Sequence, residues 1–196
     1  MGLNRKKVVV AVLSIVLLVS VVGGWALSRS SDDVDANLTT PGVEQTPGIG
    51  TNANNTGKKF SFIPVTDVLS GAAVTITPMG KPMVVNFWFS TCEPCKREFP
   101  ALLDAAASTN GNISFVGVNP QDTAVAAQDF VDEYASESND FIYVRDPNGE
   151  LLTQLGVGTF PMTLFVDAGG VIVSQHAGEI TSAELATTMQ KYFGVS

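Results

Sequence analysis

Cys92 and Cys95 are the only cysteines in the chain, and they sit two residues apart within the stretch NFWFSTCEPCKREFP that runs from Asn86 to Pro100. A thiol pair at this spacing can close and reopen a disulfide, so the chemistry it offers is two-electron thiol–disulfide exchange. Zinc fits poorly, because a structural site takes four ligands and the chain adds only one histidine, His176, to the pair. A purely structural staple also fits poorly, since closing so short a loop removes little chain entropy. The position of the pair strengthens the redox reading. Val84, Val85, Phe87, Trp88 and Phe89 form a nearly unbroken apolar run of strand length, and polar residues recur at helical spacing from Glu93 onward. Cys92 therefore falls at a helix N-terminus, where unpaired backbone N–H groups and the positive dipole end favour a thiolate over a thiol. It is the candidate nucleophile. Cys95, one turn further on, faces the same side and is close enough to resolve whatever Cys92 attacks. Pro94 is tolerated because the first turn has no intrahelical N–H bond to lose.

These elements lie in a domain expected over residues 60–196. Phe60 to Thr66 and Ala73 to Thr77 read as two short strands forming an N-terminal hairpin at a sheet edge, with Ser70-Gly71 between them. Met83 to Phe89 is the buried strand, and Glu93 to about Ser108 the cysteine helix, kinked at Pro100. A strand from Ile113 to Val118 and a helix from Gln121 to Ser138 follow, the helix carrying Val125, Phe130, Val131 and Tyr134 on a broad apolar stripe. Its acidic face reads as solvated surface. Phe141 to Val144 is a short strand and Gly149 to Leu155 a short helix. Two strand–helix–strand units imply parallel pairing with right-handed crossovers. Gly158-Thr159-Phe160-Pro161 then leads into a hairpin of Met162 to Val166 and Val171 to His176. Thr181 and Glu184 form a capping box at the head of the last helix, and Gly194 suits its end. The sum is an α/β domain with a mixed sheet and helices on both faces.

Upstream, Arg5, Lys6 and Lys7 precede twenty uncharged residues, Val8 to Leu27. As a helix this run spans roughly 30 Å, the thickness of a bilayer core. The basic flank stays in the cytoplasm, so residues 1–27 read as an anchor that sends the rest of the chain outside. Ala26-Leu27-Ser28 offers a signal-peptidase site as the competing reading, but the run exceeds the usual length of a signal peptide and favours a retained anchor. Residues 28–59 are rich in Ser, Thr, Asn, Asp, Gly and Pro without periodicity, and read as a flexible tether. A net charge of −8 argues against a nucleic-acid partner.

With the buried strand, the C-x-x-C helix containing Pro100, and Phe160-Pro161 before a hairpin in place, the chain resembles the thioredoxin fold. Within it, the chain is similar to the TlpA, ResA and CcmG (DsbE) group of membrane-anchored extracytoplasmic thiol-disulfide oxidoreductases. The likeness covers about Phe60 to Phe193, and the run Cys92 to Pro100 is especially close to the ResA pattern. It implies a thioredoxin-like mixed central sheet with flanking helices, an N-terminal hairpin, an inserted helix at Gln121 to Ser138 and one preceding transmembrane helix. It also implies a cis peptide bond at Pro161, with Phe160 facing a bound polypeptide and Glu93 and Pro94 completing the substrate surface. Glu98 matches the group's active-site glutamate and would relay a proton as Cys95 becomes a nucleophile; the plainer reading is one charge in a solvated Lys-Arg-Glu run. Two positions depart from thioredoxin. Asn86 replaces a buried aspartate, removing that proton route, and Thr91 replaces the tryptophan before the first cysteine.

The resemblance implies substrate protein disulfides, apocytochrome c among them, a transmembrane thiol electron donor, no cofactor and a monomer. The direction of exchange stays open between a reductant and a disulfide-forming oxidant. A tethered polypeptide-binding module without chemistry is the rival of a different class. Peroxidase activity is disfavoured because Phe89 stands where peroxiredoxins carry threonine. His176 is read as a plain strand residue far from the cysteines, with no role.

Overall fold

β3 (Met83–Phe87) is buried at all five positions because both of its faces meet apolar layers. Met83, Val85 and Phe87 enter one hydrophobic cluster, while Val84 and the following Trp88 enter the other, the period-two alternation of a strand. A strand covered on both sides must be apolar throughout, which is why its sequence run is nearly unbroken. Asn86 is the single polar exception. The computed structural model describes residues 51–60, 63–78, 80–135 and 141–195. The expected anchor, residues 1–27, and residues 28–50 of the expected tether lie outside the described residues. Among those described, no helix is long and apolar enough to cross a membrane.

The other strands are β1 (Pro64–Asp67), β2 (Ala73–Thr75), β4 (Ser114–Asn119), β5 (Phe141–Arg145), β6 (Met162–Val166) and β7 (Ile172–Ala177). They form one sheet in the order β2-β1-β5-β4-β3-β6-β7. β3, β4 and β5 run parallel, with Val85 opposite Val116 and Gly117 opposite Tyr143. The β1–β2 hairpin occupies one edge and the β6–β7 hairpin the other, both antiparallel to their neighbours. Gly117 allows β4 to pass beneath Trp88: a Cβ there would lie 2.8 Å from the indole Nε1.

Among the described residues, four helices cover the sheet: α1 (Glu93–Ser108), α2 (Ala124–Tyr134), α3 (Glu150–Leu155) and α4 (Ser182–Phe193). α1 buries Cys95, Glu98, Phe99, Leu102 and Ala106, a stripe at helical spacing, and continues through an exposed Pro100. With α2 and α4 it encloses the cluster on the Trp88 face, while Leu151 and Leu155 of α3 pack on the opposite face. α4 begins with the expected capping box, in which the Thr181 hydroxyl accepts from Glu184 N and the Glu184 carboxylate accepts from Thr181 N. Gly194 closes it at φ 71°.

Three expectations need correcting. The first strand starts at Pro64, where a missing N–H is harmless, rather than at Phe60. Phe60 is buried by another route, its N–H donating to Gly170 O beyond the opposite sheet edge. α2 starts at Ala124 rather than Gln121, because the Asn119 side chain accepts from the N–H groups of Gln121 and Asp122 and holds them in a turn. Val125 is off its apolar stripe and 69% exposed. Finally, residues 51–59 are not a loose continuation of the tether. Ala53 N donates to Gly156 O, Gly57 N to Ile172 O and Ile172 N to Lys58 O, so this part of the chain lies bound along the domain.

Candidate active site

The site forms where β3 gives way to α1. Trp88 N donates to Val118 O and prolongs the strand ladder by one residue, and the chain then turns through Phe89, Ser90 and Thr91 to the helix. Cys92 is the N-cap of α1, with extended backbone angles of φ −82° and ψ 99°. Its sulfur takes the place of the usual hydroxyl or carboxylate cap, accepting the Cys95 N–H at 3.3 Å. A donor aimed at that sulfur, at the positive end of a 16-residue helix, stabilises negative charge on it once the pair is reduced. Cys92 and Cys95 are joined in a disulfide, their Cα atoms 5.2 Å apart. Cys92 is 4% exposed and Cys95 is fully buried, so only Cys92 can be reached from outside.

Behind the pair, Glu98 is 1% exposed and lies on the buried stripe of α1 three residues beyond Cys95. Glu98 Oε1 accepts from Asn86 Nδ2 at 2.7 Å and Oε2 from Ile180 N at 2.8 Å. Asn86 Nδ2 also donates to Thr163 Oγ1 at 3.0 Å, and Asn86 Oδ1 has no partner among the described residues. Burial pushes the Glu98 carboxyl up to about 7, against the pull of the two donors and with a further upward push from Glu179. Glu98 is thus not a solvated charge. A buried carboxyl thus reaches Asn86 of β3 from α1. The Asn86 amide can serve either protonation state of Glu98. If the amide turns over, Oδ1 can accept from a protonated Glu98 while the Thr163 hydroxyl turns from acceptor to donor.

The other candidate residues are Glu93, Pro94, Phe160 and Pro161, of which Pro161 is buried. Glu93 is exposed and paired with Lys96 at 2.8 Å, which holds its carboxyl below the usual range. Pro94 is half-buried in the first turn of α1. The Phe160–Pro161 bond is cis, as the resemblance implies. The Phe160 ring meets Phe89 edge-on, with centroids 5.2 Å apart. Phe89 leads into the cysteine loop and Phe160 into β6, so this contact joins the cysteine loop to the segment with the cis bond.

A model of the redoxin family matches residues 54–189 of the chain. The DsbE-homologous thiol:disulfide interchange protein of Paracoccus denitrificans is 31% identical over 161 residues, 81% of this chain and 78% of that protein. The chain belongs to the redoxin family. It is also 27% identical to the thiol-disulfide oxidoreductase ResA of Bacillus thuringiensis, across 69% of this chain and 77% of ResA. Among solved structures, a secreted Mycobacterium tuberculosis disulfide oxidoreductase homologous to DsbE superposes with a TM-score of 0.58 at 26% identity, covering 66% of this chain and 95% of that one. This redoxin is accordingly a thiol-disulfide oxidoreductase, and its fold is thioredoxin-like.

Several parts of this redoxin's site lie beyond its motif. The Asp122 carboxylate accepts from Ser90 N at 2.6 Å, Ser90 Oγ at 2.9 Å and Asn119 Nδ2 at 2.6 Å, pinning the loop that delivers Cys92. Arg145 holds Asp122 in turn, through two bonds to its carbonyl. Arg97 grips Glu179 through Nε and Nη2 at 2.8 and 2.6 Å, next to the Ile180 N–H that binds Glu98. His176 is a residue of β7, as the sequence suggests. It lies opposite Thr163 in the β6–β7 register, and its Nε2 lies 3.2 Å from Glu179 O. A visible signal existed for Asp122 alone, in the local Asn-x-x-Asp turn.

Proposed function

We propose that this oxidoreductase works outside the cytoplasm as a membrane-anchored reductant of protein disulfides, apocytochrome c among the substrates. The reduced Cys92 thiolate attacks one sulfur of a substrate disulfide lying along Phe160 and Pro161. A mixed disulfide forms, and the displaced substrate sulfur leaves as a thiolate that takes up a proton. Cys95 then loses its proton toward Glu98 and attacks Cys92 Sγ, which breaks the mixed bond and frees the second substrate thiol. Two electrons pass to the substrate with two protons, one from solvent and one that Glu98 hands on from Cys95, and the enzyme is left with the Cys92–Cys95 disulfide. A transmembrane dithiol donor returns it to the reduced form.

The observation that carries this reading is the asymmetry of the pair. One sulfur is capped by an N–H and reachable, while its partner is sealed and lies one helical turn from a carboxyl poised near pH 7. The anchor and the outside location rest on Arg5, Lys6 and Lys7 before the uncharged run ending at Leu27. The test is trapping in cells. Cys95→Ser should accumulate mixed disulfides on Cys92, and Cys92→Ser should abolish reduction of a disulfide-closed C-x-x-C-H peptide. Retained activity in Cys92→Ser defeats the assignment.

A further inference from the structure

The segment upstream of the hairpin does more than join domain to tether. The Asn52 side chain reaches the loop that precedes the cis bond: its Oδ1 accepts from Gly158 N at 2.8 Å and Thr159 N at 3.0 Å, and its Nδ2 donates to Thr159 Oγ1 at 2.9 Å. Three hydrogen bonds from one side chain thereby fix the two residues before Phe160. The strap is itself held firmly. Asn55 is 1% exposed and gives Nδ2 to Leu155 O at 2.7 Å, while Ala53 N donates to Gly156 O at 2.9 Å. Both acceptors are carbonyls at the end of α3, groups that a helix terminus leaves without internal partners. Gln175 of β7 closes the other side, accepting from Asn55 N and donating to Ala53 O. The fit is tight enough that a Cβ on Gly156 would come within 2.8 Å of Ala53 Cβ.

We infer that the strap of residues 52–55 is a positioning element for substrate binding, with Asn52 setting the loop that presents Phe160 to a polypeptide. Without it, two backbone N–H groups next to the substrate surface lose their acceptor and the loop gains freedom that substrate must then remove. The cost falls on substrate binding, since Asn52 touches neither sulfur. This inference rests on the assignment of Phe160 and Pro161 as the substrate surface.

The test compares full-chain Asn52→Ala, Asn52→Asp and Phe160→Ala in steady-state reduction of a disulfide-closed C-x-x-C-H peptide, with dithiothreitol as donor and folding checked by circular dichroism. Asn52→Ala should raise KM about tenfold with kcat retained, the size expected for losing one to two net hydrogen bonds. Asn52→Asp keeps an acceptor for both N–H groups and should stay near the parent KM. If Phe160→Ala raises KM while Asn52→Ala leaves it unchanged, or lowers kcat alone, the strap inference is overturned and the substrate surface stands. If Phe160→Ala leaves KM unchanged, the substrate surface falls and the strap inference falls with it.

Discussion

Glu98 is a buried carboxyl one helical turn beyond Cys95. Its carboxyl titrates near 7 against an ordinary 4.5, chiefly because burial penalises the charged form. The folded state therefore holds a proton between those values that the unfolded chain releases. Stability from this group is fully present below about pH 4.5, declines as pH rises, and is lost once pH passes about 7. A shift of this size corresponds to about 3 kcal/mol. Urea unfolding of the oxidised protein between pH 5 and 8 should show that decline, and Glu98→Gln should flatten it. An identical slope in Glu98→Gln would assign the titration to another group. Asn86→Ala, which removes one of the two donors holding the charged form, should move the midpoint of the decline upward.

At the scale of elements, the cysteine loop is held by neighbours on both sides of the sheet's active end. β3 and α1 fix its ends, while Asp122, in the turn between β4 and α2, binds Ser90 by main chain and side chain. Asp122→Ala leaves a part-buried N–H without an acceptor and frees the residues before Cys92. We expect a loss of about 2 kcal/mol in stability and a reduced rate of mixed-disulfide formation, measured by urea unfolding and by quenched-flow trapping. A stability loss with an unchanged trapping rate would confine Asp122 to the scaffold. The helix ends were easier to foresee than this clamp. The Thr181–Glu184 box and Gly194 are local patterns and act within one turn, whereas Asp122 acts on a residue 32 positions away.

For the whole molecule, the reductase reading requires the cysteines and their electron donor to share the outer side of a membrane. A membrane-impermeant maleimide should label Cys92 in intact cells after mild reduction, and the chain should remain with the membrane through a carbonate wash. Labelling that appears only after lysis, or release by the wash, contradicts the anchored, outward arrangement. Asn52 binds the loop just before Phe160, in a part of the chain that composition left outside the domain. Composition had assigned residues 51–59 to the tether, since Asn, Thr and Gly carry no periodicity. Their order comes from main-chain and side-chain amide bonds to distant parts of the chain, which no periodic pattern records.

The sequence alone determined the redox pair, its place at a strand-to-helix junction, the apolar strands and the caps of α4. Each of these is a near-neighbour relation, legible because strand alternation and helical spacing act within a few residues. Only the tertiary structure decided the state of Glu98, the partner of Asn86 and the clamps on both active-site loops. Thr163 meets Asn86 from 77 positions away, Ile180 meets Glu98 from 82, and Gly158 meets Asn52 from 106. Burial and pairing across such separations are properties of the packed sheet, and they convert an ordinary run of Lys, Arg and Glu into a carboxyl that can hold or release a proton near neutrality.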